Sequence, residues 1–309
     1  MNDRRIENVV IIGMGALGLM FGQRIAQKPE EADLCFLMDP ERKRRHAGER
    51  VLINGSEMSV RMVEPDEIRA PADLVIVATK YGGLYGARDL MHCAVGPDTV
   101  IISLLNGISS EDILAEVFQR EQIPDCIAIG MDAVRSGSSL TYRNIGRLQI
   151  GMSHAGQETA LARLQDFLER ADIPYELCGD IRKAMWNKFM INVGINQTCM
   201  VYEITYGEAT AEGSQALKNM SEAMREVIRI AAAEGIGLTE EDYVRDVALL
   251  RTLNPEGYPS MRQDALAKRP SEVDLFAGTV IEIAGRHGIE VPVNERYYQI
   301  IKKMEQEYE

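Results

Sequence analysis

The stretch that decides the fold spans residues 6–27 and reads IENVVIIGMGALGLMFGQRIAQ. Val9 to Ile12 are all β-branched, which is typical of a strand buried on both faces of a parallel sheet. The sequence therefore predicts a buried strand, a tight glycine turn and an amphipathic helix. The apolar residues at helical spacing after the turn are Leu17, Met20, Phe21 and Ile25.

The glycine turn has the spacing of a dinucleotide-binding loop. Gly13 permits the tight turn, Gly15 leaves no side chain where a pyrophosphate approaches the backbone, and Gly18 lets the helix pack closely on the strand. The helix N-terminus offers N–H groups and partial positive charge to that anion. We therefore predict that a dinucleotide binds here; the alternative is a glycine-rich turn without a ligand. The motif consists of Gly13, Met14, Gly15, Ala16, Leu17 and Gly18.

The composition is that of a soluble globular protein. The 309 residues suffice for two domains with a sizeable core, and 46% of them are hydrophobic and 26% charged. No apolar stretch has the length of a transmembrane helix. The first apolar run imitates a signal peptide, but its cleavage would destroy the glycine turn, so we reject that interpretation. We expect no membrane partner.

The cysteines, the histidines and the net charge indicate the redox compartment, the presence or absence of a metal site and the kind of partner. The five cysteines are odd in number and widely spaced, as expected of buried thiols in the reducing cytoplasm. None of the four histidines forms a metal-spaced pair with another histidine or a cysteine, so we predict no metal site. The net charge of −13 argues against a nucleic-acid partner, because phosphate binding depends on clustered Lys and Arg.

Asp39 occupies the position that reads the adenosine ribose in dinucleotide-binding folds. It follows a second buried-type strand, Leu34 to Met38, and lies twenty-one residues beyond Gly18. A carboxylate there accepts a hydrogen bond from a 2′-hydroxyl and repels a 2′-phosphate, which favours NAD. The basic run Arg42 to Arg45 follows at once and suits either a bound phosphate or a solvated helix face. The residues therefore leave the cofactor open.

Two further buried strands end on polar side chains. DLVIVATK, Asp73 to Lys80, ends on Lys80, and TVIISLLNG, Thr99 to Gly107, ends on Asn106 and a glycine. In an open α/β sheet the carboxyl ends of the strands line the ligand crevice, so Lys80 and Asn106 should face the cofactor. The alternatives are an exposed strand-end lysine and an ordinary turn.

The remaining pattern predicts where the sheet ends and a helical region begins. Asn54-Gly55 is a hairpin signal between alternating segments. Short strands between Asp125 and Met152 suggest the far edge of the same sheet. From Ile181 onward no strand is predicted, so we divide the chain into a dinucleotide-binding domain, residues 1–179, and a helical domain, residues 180–309.

The helix predicted from Ile181 to Val201 carries a polar stripe. Its middle is apolar nearly all round, yet Lys188, Asn192 and Asn196 recur at intervals of four residues and so share one face. Buried amides need partners, and a buried lysine is costly unless it is paired or used. We expect the stripe to line an internal cleft; the alternative is the solvent edge of the helix.

Ser260 and Glu272 have structural explanations from the residues alone. Ser260 follows Tyr258-Pro259 at a turn, where it suits a helix cap. Glu272 lies at Pro270-Ser271-Glu272, the predicted start of the last long helix, where the helix dipole favours an acid.

Six motifs occur in order along the chain. They are GMGALG at Gly13–Gly18, ATK ending at Lys80, LLNG ending at Gly107, W-x-K-x-x-x-N-x-x-x-N from Trp186 to Asn196, PSM-x-QD from Pro259 to Asp264, and S-E-V-D around Glu272. As a set they resemble the ketopantoate reductase (2-dehydropantoate 2-reductase) family. The resemblance implies an α/β fold: a Rossmann-type doubly wound parallel sheet that binds NADPH, then an all-helical C-terminal domain that closes a cleft over a 2-keto acid.

The resemblance also implies residue roles and a reaction. Lys188 would be the catalytic lysine, and Glu272 would support it at the substrate hydroxyl. The implied reaction reduces 2-dehydropantoate to pantoate, in pantothenate biosynthesis, by hydride transfer from NAD(P)H. The positions implied in binding are Ser260 at the substrate carboxylate, Asn192 and Asn196 at its other polar groups, and Lys80 and Asn106 at the nicotinamide and ribose end of the cofactor.

One position departs from the family pattern. The family usually carries an arginine that grips the NADPH 2′-phosphate where this chain has Asp39, so the resemblance implies NADP whereas Asp39 favours NAD. The departure also fits relatives that resemble NAD-dependent D-2-hydroxyacid dehydrogenases of branched or aromatic 2-keto acids. A third hypothesis is a non-catalytic dinucleotide sensor, which has no need of Lys188, Ser260 and Glu272 together. The apolar helical domain is compatible with a homodimer.

Overall fold

The computed structural model describes residues 4–308, which form two compact units that divide after Ile181. The first unit is α/β and the second is helical. The elements of the first unit are β1 (Asn8–Ile12), α1 (Ala16–Ala26), β2 (Asp33–Leu37), α2 (Pro40–His46), β3 (Val51–Ile53), β4 (Ser56–Met58), β5 (Met62–Val63), β6 (Leu74–Val77), α3 (Leu84–Leu90), β7 (Val100–Ser103), α4 (Ser110–Ala115), β8 (Asp125–Ile129), β9 (Val134–Ser136), β10 (Ser139–Thr141), β11 (Arg147–Gly151), α5 (Glu158–Arg170) and β12 (Tyr175–Leu177).

The second unit is built from helices that start with the long helix α6. Its elements are α6 (Ile181–Tyr202), α7 (Tyr206–Ala209), α8 (Gln215–Ala233), α9 (Glu240–Leu250), α10 (Ser260–Leu266), a π-helical turn (Asp274–Gly278), α11 (Thr279–His287) and α12 (Pro292–Gln306).

Five parallel strands form the main sheet in the order β5-β2-β1-β6-β7. Side chains of β1 alternate between two hydrophobic clusters: Val9 and Ile11 lie in one, Val10 and Ile12 in the other. Both faces of the sheet are therefore buried, which explains the unbroken β-branched run and confirms the doubly wound sheet. Strand order reverses between β1 and β6, and in such sheets ligands bind at the carboxyl ends of the strands at this point.

The Asn54-Gly55 hairpin is confirmed. Both residues have positive φ, 49° and 84°, and they join the antiparallel pair β3 and β4. Two central residues of positive φ are typical of the type I′ turn, whose twist matches that of the flanking strands.

The strands between Asp125 and Met152 do not form the far edge of the main sheet, so that prediction was wrong. β8, β11 and β12 make a three-stranded sheet, and β9 and β10 join β3 and β4 in a four-stranded one. Gly130, at φ +77°, turns the chain out of β8, and a Cβ on Gly146 would lie 2.1 Å from the Ile129 carbonyl oxygen. This glycine-dependent return lets β8 pair antiparallel with β11.

Helix α6 continues without a break through Gly194. Close packing against α8 requires glycine at this position. A Cβ at that position would lie 2.5 Å from Met224 Cγ on α8. Side chains cap two of the neighbouring helices: Ser214 accepts a hydrogen bond from Leu217 N, and Thr239 forms a capping box with Asp242.

The last long helix does not begin at Pro270-Ser271-Glu272, so that prediction was wrong. The chain first forms the π-helical turn and α11, which ends at His287 and is followed by Gly288 with φ +65°. Helix α12 then starts at Pro292. A left-handed glycine and a proline in the first helical turn are strong stop and start signals, and together they divide the segment in two.

Within the described residues no helix is long and apolar enough to cross a membrane. In the same residues no group of three or more His, Cys, Asp or Glu is placed to hold a metal ion. All five cysteines are free thiols. Burial raises the pKa of Cys35 to about 11 and that of Cys199 to about 12, which keeps both thiols protonated. Two of the expected buried thiols, Cys93 and Cys178, are only half-buried.

Candidate active site

The loop between β1 and α1 folds tightly against the end of β6. Gly13 has φ +113°, and a Cβ there would lie 2.4 Å from the Ala78 carbonyl oxygen. A Cβ on Gly18 would lie 2.0 Å from the Gly13 carbonyl oxygen. The protein's own backbone therefore requires both glycines, one for the turn and one for close helix packing.

Gly15 is glycine for a different reason. Its φ of −74° is open to any residue. A Cβ would lie 3.6 Å from the Ala78 carbonyl oxygen, an ordinary van der Waals contact. In residues 4–308 no neighbour thus demands glycine at this position, which is the N-cap of α1. The space that a side chain would fill fits a pyrophosphate that approaches the backbone.

The N-terminus of α1 is suited to an anion. The helix begins at Ala16 with no side-chain cap and no acidic residue in its first turn. The first N–H groups of a helix lack intrahelical partners and carry partial positive charge. Met14 is buried, and Ala16 and Leu17 pack half-buried on the core, so the loop is anchored from both sides. These residues fit the pyrophosphate of a nicotinamide dinucleotide.

Asp39 lies just beyond β2 and caps helix α2. Its Oδ1 accepts a hydrogen bond from Arg42 N at 2.8 Å, and its Oδ2 lies 3.3 Å from Arg42 Nε. The side chain is still 43% exposed. Because a carboxylate has about four lone-pair sites, Asp39 can cap the helix and also accept a hydrogen bond from a ribose hydroxyl.

The basic run on α2 is engaged by acidic side chains. Arg42 pairs with the capping carboxylate, Lys43 pairs with Glu67, and Arg45 Nη2 lies 2.9 Å from Glu41 Oε1. These contacts match the solvated helix face that was one of the two interpretations of this run.

Lys80 and Asn106 lie at equivalent positions on neighbouring strands. Val77 of β6 pairs with Ser103 of β7, and each polar residue follows its strand three positions later. Both therefore lie at the carboxyl edge of the sheet. At the same edge Thr79 Oγ1 is buried and has no hydrogen-bond partner among the described residues, so it is available to a bound group.

The polar stripe on α6 has graded burial. Asn196 is 5% exposed, and Lys188 and Asn192 are half-buried. Asn196 Nδ2 donates a hydrogen bond to Asn192 Oδ1 at 3.2 Å. This burial differs from that of a solvent-exposed helix edge.

Ser260 is joined to the stripe rather than capping its own helix. Its hydroxyl donates a hydrogen bond to Asn196 Oδ1 at 3.0 Å, and Met261 N donates to the same oxygen at 3.1 Å. The structural explanation of Ser260 as a helix cap was therefore wrong: it is the first residue of α10, and Asn196 serves the free amide there. Asn192, Asn196 and Ser260 form one hydrogen-bonded group.

Glu272 lies half-buried two residues before the π-helical turn. Its carbonyl oxygen accepts a hydrogen bond from Phe276 N at 3.0 Å. The Phe276 ring lies 6.3 Å from that of Phe189, which lies 6.0 Å from Trp186. This aromatic cluster packs the segment after Glu272 against the part of α6 that carries Lys188.

Gln197 is a residue of this region that the sequence analysis missed. It is fully buried, and its Oε1 accepts a hydrogen bond from Ala277 N at 3.1 Å. Its Nε2 donates to Val193 O at 2.8 Å and to Asn294 Oδ1 at 3.0 Å. Gln197 thereby accepts the hydrogen bond of an amide in the π-helical turn. Such π-helical turns are frequent at functional sites. The polar run Asn196-Gln197-Thr198 in an apolar helix was the available signal.

Family models match both units of the chain. The model described as "Ketopantoate reductase PanE/ApbA" matches residues 9–154, and "Ketopantoate reductase PanE/ApbA C terminal" matches residues 180–305. The chain belongs to the ketopantoate reductase family. The resemblance drawn from the six motifs is thus confirmed.

Relatives of this ketopantoate reductase family member span almost its whole length. The 2-dehydropantoate 2-reductase of Streptococcus pyogenes serotype M6 is 25% identical over 287 residues, 92% of this chain and 93% of that protein. A structure of D-mandelate dehydrogenase with NADH and anilino(oxo)acetate has a TM-score of 0.85 at 23% identity, covering 97% of this chain and 99% of the other. The dimeric ketopantoate reductase of Staphylococcus aureus has a TM-score of 0.81 at 19% identity, with 98% and 100% covered. The predicted enzyme class, an NAD(P)-dependent oxidoreductase, is confirmed.

Proposed function

We propose that this protein reduces a 2-keto acid to the 2-hydroxy acid with a hydride from NADH. The first candidate substrate is 2-dehydropantoate, because full-length relatives are 2-dehydropantoate 2-reductases. The observation that supports the proposal best is the polar group on α6, where Asn192 lies one turn from Lys188 and Asn196 joins Asn192 to Ser260. An ammonium, two amides and a hydroxyl on one surface suit a small acid with a carbonyl and a carboxylate.

In the proposed mechanism the chain supplies orientation and a proton. The Gly13–Gly18 loop would hold a nicotinamide dinucleotide, which would supply the hydride for reduction of the keto carbon. Negative charge then develops on the keto oxygen, where the Lys188 ammonium stabilises it and donates a proton to form the hydroxyl. Ser260, oriented by Asn196, binds the carboxylate, and Glu272 accepts a hydrogen bond from the new hydroxyl.

NADH is preferred in this proposal because of Asp39. Its carboxylate stands where a 2′-phosphate would have to approach, and Arg42 is already paired with it. Like charges at about 4 Å repel by about 1 kcal/mol even in water. The D-mandelate dehydrogenase that shares the fold was solved with NADH, which agrees with this preference.

A bulkier aromatic 2-keto acid is the second candidate substrate. The D-mandelate dehydrogenase structures have TM-scores of 0.85 and 0.86 against this chain, and one contains anilino(oxo)acetate. Lys188 and Glu272 would serve either substrate, so only a measurement of turnover distinguishes the two substrates.

A homodimer in the cytoplasm is part of the proposal. Apolar side chains of the second unit are exposed at Val244, Leu249 and Leu266, by 58%, 54% and 57%. A family member from Staphylococcus aureus is dimeric. Five free thiols suit a reducing compartment.

The test of the catalytic assignment is Lys188→Ala against a matched control. Loss of the general acid should lower kcat by about 10²- to 10⁴-fold at saturating NADH. Lys183→Ala is the control, because Lys183 lies on the same helix but pairs with Asp242 at 3.0 Å. Lys188→Ala with near-normal kcat would refute the mechanism, and binding of NADH without reduction of any 2-keto acid by the wild type would favour a dinucleotide sensor.

A further inference from the structure

Arg135, on the edge strand β9, reaches the glycine loop. Its Nη1 donates a hydrogen bond to the carbonyl oxygen of Met14, and its Nε donates to Gly137 O at 2.9 Å. The next strand, β10, is held beside α1 because Tyr142 Oη donates to Gln23 Oε1 at 2.8 Å. Arg135 is 23% exposed. Its guanidinium contacts the backbone of the GMGALG motif at Met14.

The contact at Met14 fixes the orientation of the next amide. A trans peptide is planar, so its C=O and N–H point in opposite directions. Holding the Met14 carbonyl therefore also sets the direction of the Gly15 N–H. Gly15 is the position at which the protein itself does not require glycine. Arg135 also neutralises a carbonyl dipole beside the helix N-terminus, where a free carbonyl oxygen would repel an anion.

A second set of contacts joins Arg135 to helix α2, which Asp39 caps. Arg135 Nη2 lies 3.2 Å from Glu49 Oε1, and the other oxygen of Glu49 pairs with His46 Nδ1. His46 is the last residue of α2, and Asp39 caps the first turn of the same helix. The Gly13–Gly18 loop and Asp39 are thus connected through Arg135, Glu49 and helix α2.

We propose that Arg135 is a cofactor-positioning residue, which orients the Met14–Gly15 peptide toward the pyrophosphate and holds it in register with Asp39. The inference rests on the dinucleotide half of the proposed function and is independent of the 2-keto acid. Nothing in the surrounding sequence, AVRSG, marks the residue, because the contact joins positions 121 residues apart.

The test measures binding of NADH, ADP and adenosine to Arg135→Met and to a control. Loss of a charged hydrogen-bond donor should weaken NADH and ADP binding by about 10-fold or more. Adenosine lacks the pyrophosphate, so its affinity should change less than twofold. The control is Arg50→Met, which removes the same charge from an exposed pair with Glu57 near β3. Its NADH affinity should equal that of the wild type.

A kinetic readout separates positioning from general destabilisation. Arg135→Met should raise the KM for NADH while kcat at saturating NADH stays within about threefold. Arg135→Lys, which keeps the charge and one donor nitrogen but loses the planar fork, should recover part of the affinity. If Arg135→Met does not fold, Glu49→Gln takes its place: it removes the ionic link to α2, and NADH affinity should fall with the fold intact.

Two results overturn the proposal. One is unchanged NADH affinity in a folded Arg135→Met or Glu49→Gln protein. The other is an equal loss of adenosine and ADP binding, which indicates a structural role only. Wild-type protein that binds NADH but reduces no 2-keto acid would refute the proposed function and leave the role of Arg135 standing.

Discussion

The side-chain oxygen of Asn196 accepts a hydrogen bond from the Ser260 hydroxyl at 3.0 Å, across 64 residues of sequence. The same oxygen accepts the amide hydrogen bond of Met261. The side-chain amide of Asn196 therefore satisfies a free N–H in the first turn of α10 and also fixes the direction of the Ser260 hydroxyl. In the proposed function that hydroxyl binds the substrate carboxylate.

Asn196→Ala and Ser260→Ala should separate these two roles. Asn196→Ala leaves the Met261 amide without an acceptor and should lower the free energy of unfolding by about 1–3 kcal/mol while raising the KM for the 2-keto acid. Ser260→Ala keeps the hydrogen bond from Met261 N to Asn196. It should therefore raise the KM for the 2-keto acid with a smaller loss of stability. Urea unfolding and initial rates measure both quantities.

Ser214→Ala is the control for stability loss alone, because Ser214 caps α8 through Leu217 N. It should cost about 1 kcal/mol and leave KM unchanged. A Ser260→Ala enzyme with wild-type KM would contradict the assignment of Ser260 to the substrate.

Gly15→Ala should retain the fold and lose dinucleotide affinity. The added Cβ meets only an ordinary contact in the protein, but it fills space that the pyrophosphate needs, at a cost of about 1–3 kcal/mol in binding. Gly18→Ala should instead lower thermal stability, because its Cβ would lie 2.0 Å from the Gly13 carbonyl oxygen. Gly86→Ala, at an open helix position, is the neutral control. Unimpaired NADH binding by Gly15→Ala would argue against a pyrophosphate at this loop.

Asp39→Asn should shift cofactor preference toward NADPH without loss of the α2 cap. Asparagine caps helices about as well as aspartate, so the substitution removes only the charge. Removing repulsion at the 2′-phosphate should raise the NADPH-to-NADH ratio of kcat/KM by about 10-fold. Asp33→Asn, at the other end of β2, removes the same charge and should leave the ratio unchanged. An unaltered ratio in Asp39→Asn would show that Asp39 does not read the ribose.

Glu111 should make the protein less stable as pH rises. Burial, with Asp125 nearby, raises the pKa of Glu111 to about 8. Between an unfolded pKa of about 4.3 and this value the folded state holds a proton that the unfolded state has lost. The contribution to stability is complete below the lower value and falls by about 1.4 kcal/mol per pH unit until the pH passes about 8.

Glu111→Gln should remove this slope in urea unfolding between pH 5 and pH 8. Asp112→Asn, at the next and exposed position of α4, serves as the control and should keep the wild-type slope. Equal slopes in Glu111→Gln and wild type would mean that Glu111 is ionised in the folded protein.

Local sequence patterns predict much of this fold. The turn at Gly13 to Gly18 and the hairpin at Asn54-Gly55 depend on neighbouring residues, and both form as expected. The stripe on α6 was predictable because helical spacing alone puts its members on one face.

Features that depend on distant partners were not predictable. β8 leaves the main sheet because it pairs with β11 around Gly130 and Gly146, and no local pattern reveals that choice. The π-helical turn is supported by Gln197, whose Oε1 accepts a hydrogen bond from Ala277 N, eighty residues away in sequence. The contact of Arg135 with Met14 is of the same kind.

The most direct measurement of the central claim is the initial rate of dinucleotide oxidation by the purified protein. NADH and NADPH are each assayed with 2-dehydropantoate and with benzoylformate. We expect turnover with NADH to exceed that with NADPH, and at least one of the two 2-keto acids to be reduced to its 2-hydroxy acid. Failure to reduce either acid with either cofactor, or a strong preference for NADPH, would contradict the account.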